Sequence, residues 1–162
     1  MRKKALPLVA TMIGLATAAW GADATAPVGA ALELVGKGAQ IYVCAAAGDN
    51  FAWRLKAPDA ELFVRNGGAV GKHFAGPSWQ AADGSTVVGE PVNATPSPRP
   101  HAIPWLILRA KSHSGNGVMA DVTFVVRTAT RGGGAPMRGC DAGHVGAERR
   151  VPYEATYLFF RG

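Results

Sequence analysis

Cysteine and charge are both scarce in this sequence, and each scarcity excludes something. There are two cysteines, Cys44 and Cys140, with no C-x-x-C pair or His-Cys cluster to frame a zinc or dithiol centre. Charged residues are 17% of the chain, and beyond the first four residues only Arg149 and Arg150 adjoin as basic neighbours. No basic stripe forms, so a nucleic-acid partner is not expected despite a pI near 9.8. G-x-S-x-G and H-E-x-x-H are absent, which removes the recognisable settings for a serine nucleophile and a zinc protease. Past the N-terminus no stretch sustains a 3.6-residue apolar period, and a helical bundle is excluded with it.

The one long uncharged apolar run stands at the start. Met1-Arg2-Lys3-Lys4 precedes Ala5 to Trp20, and small residues gather at Ala18, Ala19, Gly21, Ala22 and Ala24. That order is a secretory signal peptide, expected over residues 1–22. The run is shorter than the roughly 20 residues of a membrane span and has no basic stop-transfer cluster, so no stable span is expected after cleavage. With Arg2, Lys3 and Lys4 removed, 14 basic residues face 11 acidic ones, a balance of +3. Residues 23–30 read as a flexible leader and 31–162 as a single β-rich domain of a size that buries a core. Localisation is then exported, periplasmic or extracellular, where an even pair of cysteines is most simply a disulfide between Cys44 and Cys140.

Strand signals fill the rest. Ala31 to Val35 and Gln40 to Ala45 read as short strands, the second with Tyr42 and Cys44 on one face. Phe51 to Leu55 comes next, a break is expected at Pro58, and Glu61 to Val64 resumes. Asp83-Gly84 predicts a type I′ hairpin turn pairing Trp79–Ala82 with Ser85–Gly89. Five prolines from Pro91 to Pro104 predict a loop or extended crossover rather than a central strand. Val118 to Thr128 is the longest β-type run, with Val122, Phe124 and Val126 on one face and Thr123, Val125 and Arg127 on the other. Val151, Tyr153, Ala155, Tyr157 and Phe159 share a face near the end. The expected fold is all-β: an antiparallel β-sandwich or barrel-like fold with long Gly/Pro-rich loops.

Several ordered motifs resemble one family. They are Gly38-Ala39-Gln40-Ile41-Tyr42-Val43-Cys44, then His73-Phe74-Ala75-Gly76-Pro77-Ser78-Trp79 with Asp83-Gly84-Ser85. Ile103-Pro104-Trp105-Leu106, Thr130-Arg131-Gly132-Gly133, Cys140-Asp141 and Pro152-Tyr153-x-Ala155-Thr156-Tyr157 complete the series. The chain from Leu34 to Phe160 is similar to the bacterial and fungal domain-of-unknown-function family 3455, mostly exported proteins. The resemblance implies export and no established activity.

Candidate chemistry rests on few residues. Gly115-x-Gly117-x-x-Ala120 fits a dinucleotide fingerprint on paper, but Val118 onward reads as a strand, so the glycines are a hairpin turn. His73, Asp141 and His144 are candidate metal ligands; a hydrogen-bonded structural histidine is the commoner role for His73. His73, Trp79, Asp83 and Trp105 are candidate ligand-binding residues, the tryptophans offering flat apolar surface for a sugar ring or apolar ligand. No catalytic set is assigned and no cofactor is expected. The expectation is a non-enzymatic binding or cell-envelope-associated module whose partner is a small ligand or an envelope component. The alternative is a hydrolase-like or metal-dependent enzyme centred on His73 and Asp83. A deep polar pocket joining those two would favour the enzyme, and a shallow aromatic groove the binding module.

Overall fold

Alternating apolar and polar side chains carry the chain through eight strands. They are β1 (Leu32–Ala47), β2 (Asn50–Phe63), β3 (Ala69–Phe74), β4 (Ser78–Ala81), β5 (Thr86–Thr95), β6 (Trp105–Ser114), β7 (Val122–Gly132) and β8 (Glu148–Arg161). The computed structural model describes residues 29–162; the expected signal peptide and residues 23–28 of the leader lie outside them. Each strand pairs antiparallel with the next, and β8 pairs with β1, closing a barrel in meander order. The antiparallel all-β, barrel-like expectation is therefore met. Among the described residues no helix is long and apolar enough to cross a membrane.

The inward faces follow from register, because directly opposed residues share a face. Tyr153, Ala155, Tyr157 and Phe159 of β8 are all buried, as their alternation predicts. Opposite them on β1 stand Gly38, Gly36, Leu34 and Leu32. Across the barrel the core is completed by Leu62, Trp79, Val87, Leu108, Val122 and Val125. One end of the barrel, here the lower, carries the loops after β2, β4 and β6. The upper end carries those after β1, β3, β5 and β7. Above the main core, Tyr42, Cys44 and Trp53 form a second cluster packed by Cys140, Ala147 and Val151. Cys44 and Cys140 are joined by a disulfide, Cα atoms 5.3 Å apart, as the cysteine count predicts.

Several local expectations are corrected. The two short strands expected over 31–35 and 40–45 are one 16-residue strand, bulged between Ile41 and Tyr42 where it meets β2. Pro58 does not break β2. It pairs opposite Gln40 of β1, and β3 begins pairing only at Ala60, so on the other side no neighbour asks for the missing N–H. Pro91 is accommodated in β5 for the same reason, since β4 pairs with β5 no further than Val88. The proline loop therefore starts at Pro96. In β7 a bulge between Val122 and Phe124 turns both Val122 and Val125 inward and leaves Phe124 41% exposed.

The central hairpin forms, but not through a type I′ turn. Gly84 alone takes positive φ (84°); Asp83 does not. Gly84 N donates to the Ala81 carbonyl at 2.9 Å and Ala81 N to the Ser85 carbonyl at 2.9 Å. This is a three-residue loop with glycine in the left-handed position at a bulge. The strand pairs are accordingly Trp79↔Val87 and Gln80↔Thr86.

Candidate functional site

His73 and Trp79 face each other across β3 and β4, and both point into the barrel. Their rings stack at 4.5 Å and 10°. Tyr157 closes on the pair, 5.1 Å from His73 and 5.5 Å from Trp79, with Phe159 edge-on to Trp79 at 6.2 Å. These rings fit because glycine faces two of them. A Cβ on Gly36 would lie 2.6 Å from Tyr157 Cε2, and one on Gly89 would lie 3.0 Å from Trp79 Cζ3. His73 is 2% exposed, and its Nδ1–H donates to the Ser78 carbonyl at 2.9 Å. Burial pulls its pKa down to about 4; the Ser78 bond opposes this and the Arg127 charge adds slightly to it. The ring is neutral at neutral pH, enclosed and hydrogen-bonded.

Asp83 lies at the lower end, exposed, on the β4–β5 loop. Its Oδ1 accepts from Ser85 N at 2.9 Å and Ser85 Oγ at 2.6 Å, and its Oδ2 from Val118 N at 2.9 Å. Ser85 Oγ in turn accepts from Met119 N at 3.1 Å. The Ser85 hydroxyl foremost, then the Val118 and Ser85 amides, hold the carboxyl below its ordinary range. This knot ties the central hairpin to the β6–β7 loop, and Met119 behind it is fully buried. No hydrogen bond or ion pair joins Asp83 to His73.

Asp141 and His144 do meet. Asp141 Oδ1 accepts from His144 Nδ1 at 2.7 Å and from Gly143 N at 2.9 Å, capping a short 3₁₀ turn, Ala142–His144. The His144 bond first, then the Gly143 amide, lowers the Asp141 pKa. Both side chains are exposed, whereas His73 is in the core. Among the described residues no three His, Cys, Asp or Glu side chains gather as a ligand set, so the three candidate metal ligands do not converge.

Trp105 opens β6 with its side chain on the outer face shared with Ile107. It lines a groove of about 290 Å³ with Asn93, Thr95, Leu106, Ile107, Val126, Thr128 and Leu158, walls that are mostly apolar, and with Arg127 as the one charged residue. The four ligand-binding candidates thus divide three ways: His73 with Trp79 in the core, Asp83 at the lower end, Trp105 on the outer wall.

A polar group inside the upper barrel was not singled out from the sequence. Tyr153 and Tyr157 share a hydroxyl bond of 3.1 Å, and Tyr42 Oη donates to the Gly133 carbonyl at 2.6 Å. Burial raises the pKa of all three tyrosines, with Tyr157 adding to the effect on Tyr153. Gln40 and Thr130 are buried nearby, and Gln40 Nε2 and Thr130 Oγ1 have no hydrogen-bond partner. Arg127 shares the inward face of Val125, opposite Tyr157. The alternation in Gln40–Cys44, and that of Val125 with Arg127, was the available signal.

No curated protein and no solved structure matches this chain. A family model described as a protein of unknown function (DUF3455) matches residues 25–161, and the chain belongs to that family.

Proposed function

We propose that the protein is an exported, non-enzymatic binding module, a single domain over residues 31–162 that meets its ligand on the outer wall at Trp105. The observation that carries this reading is the Trp105 groove, where a half-buried indole and aliphatic side chains stand beside the polar Asn93, Thr95 and Arg127. Such a surface suits a sugar ring or another flat, partly apolar group of an envelope component. The enzyme alternative has less support, because His73 is enclosed and the Asp83 carboxylate is engaged by three donors. Export is supported by the N-terminal sequence pattern and fits the Cys44–Cys140 disulfide.

The test is native mass spectrometry of the protein recovered from its own producing cells, alongside sedimentation with the envelope fraction. Wild type is expected to carry a small adduct or to co-sediment, and Trp105→Ala to lose that property while keeping its melting transition. An adduct or envelope association that survives Trp105→Ala refutes the reading. So does wild-type protein that shows neither.

A further inference from the structure

The Trp105 groove has a larger neighbour. Thr95 lines the groove and also a cavity of about 580 Å³ formed by the loop between β5 and β6. Pro96, Pro100 and Pro104 give this cavity its apolar walls, and Ser97, Arg99 and His101 its polar ones. No aspartate or glutamate lines either space. Among the described residues no carboxylate pairs with Arg99, although Arg65, Arg109 and Arg150 each have one on the surface.

The loop is fixed at its far end. Ile103 is buried and its N–H donates to the Gly132 carbonyl at 2.9 Å, while the Pro104 carbonyl accepts from Arg127 Nε at 3.0 Å. His101 takes φ 57°, and its carbonyl accepts from Gly134 N at 3.0 Å. A left-handed backbone is strained for any residue with a Cβ and persists only where the surroundings hold it. Three prolines restrict φ along the same stretch. A ligand therefore meets walls already in place and is spared the cost of ordering a loop.

Charge selects the ligand. A shaped surface with a free cation and no acid is complementary to an anionic group. The guanidinium fork of Arg99 matches the two oxygens of a carboxylate. In the adjoining groove the indole and aliphatic walls suit the flat face of a sugar ring. A neutral glycan would fill that groove and leave Arg99 unused, whereas a carboxylated sugar chain engages both spaces. Resting on the outer-wall reading above, we infer that the ligand is an acidic glycan. One of its rings lies against Trp105, and a carboxylate of the same chain is gripped by Arg99 in the proline-walled cavity.

The probe is a short oligogalacturonate, compared with its methyl ester, the same skeleton without the charge. Both are titrated calorimetrically into the mature protein at low salt. The acid is expected to bind about tenfold tighter or more than the ester, as a charge-assisted hydrogen-bonded pair warrants. Added sodium chloride should narrow that preference. Arg99 is exposed, so Arg99→Gln should keep its melting transition while the acid falls to the affinity of the ester. Trp105→Ala should weaken both. Equal affinities in wild type, a preference that survives Arg99→Gln, or no binding of either probe overturns the acidic-glycan inference and leaves the outer-wall reading to its own test. Binding of both probes that Trp105→Ala leaves unchanged overturns the inference together with the reading beneath it.

Discussion

Acid should unfold this barrel through His73 before it reaches any carboxylate. The ring is stacked on Trp79 and closed in by Tyr157, is 2% exposed and has no acid beside it, so a proton added there stays unpaired. Lowering the pKa from 6.5 to about 4 corresponds to about 3 kcal/mol of differential stability. The folded state binds this proton less readily than the unfolded chain does. The contribution is therefore complete above pH 6.5, declines by up to about 1.4 kcal/mol per pH unit as the pH falls, and is gone below about 4. Asp83 and Asp141 act lower. Their pKa values are depressed from 3.8, so what they contribute is present above that value and lost as the pH falls through their folded values. A loss of about 3 kcal/mol is large against the roughly 5–15 kcal/mol typical of a domain. Urea unfolding followed by tryptophan fluorescence at a series of pH values measures it. His73→Phe keeps a ring on Trp79 but removes the donor to the Ser78 carbonyl, lowering stability by about 1–3 kcal/mol at neutral pH. Its stability should then be nearly flat between pH 6.5 and about 4, where wild type declines. Parallel curves for the two proteins would refute the reasoning.

Gly36→Ala places a methyl 2.6 Å from the buried Tyr157 ring, and overpacking of this kind should cost about 1–3 kcal/mol in the urea midpoint; an unchanged midpoint contradicts the packing. Asp83→Asn should lower the melting temperature, because an amide cannot accept at both positions now serving Ser85 and Val118. A variant melting with wild type would show that the knot does not hold the hairpin. Cys140→Ser removes a cross-link spanning 96 residues, and the loop-entropy model puts the loss at about 4–5 kcal/mol. Comparison with reduced and alkylated wild type checks that figure.

Legibility in the sequence followed the range of the forces involved. The β8 face from Val151 to Phe159 was readable because strict alternation needs no knowledge of the partner strand. The face of Phe124 was not, since a single bulge inverts the parity that alternation depends on. Ala-Asp-Gly-Ser is compatible with two hairpin geometries, and a tertiary contact accompanies the one observed: the Asp83 carboxylate reaches Val118, 35 residues away. Pro58 and Pro91 misled for a related reason. Whether a strand tolerates proline depends on where its neighbour ends, and that is a property of the assembled sheet. Among the site residues, the disulfide was legible from residue count and compartment. The inward Arg127 was written in its parity with Val125, but nothing local distinguishes an interior arginine from a solvated one.

The disulfide also decides where the wall can breathe. Twelve residue pairs hold β1 to β8, from Leu32↔Phe159 to Val43↔Glu148, and the Cys44–Cys140 bond lies just beyond the last of them. That seam is riveted. At the other extreme, β4 has four residues and joins β5 through three pairs. Its attachment depends on the Trp79 ring more than on the ladder, so the earliest local opening should swing β4 outward. Trp79 would then leave His73, and water would reach an imidazole that regains its ordinary basicity. Backbone amides of β3 and β4 should accordingly exchange with solvent well before those of β1 and β8, and a mildly acidic medium should widen the gap by trapping the opened hairpin in its protonated form.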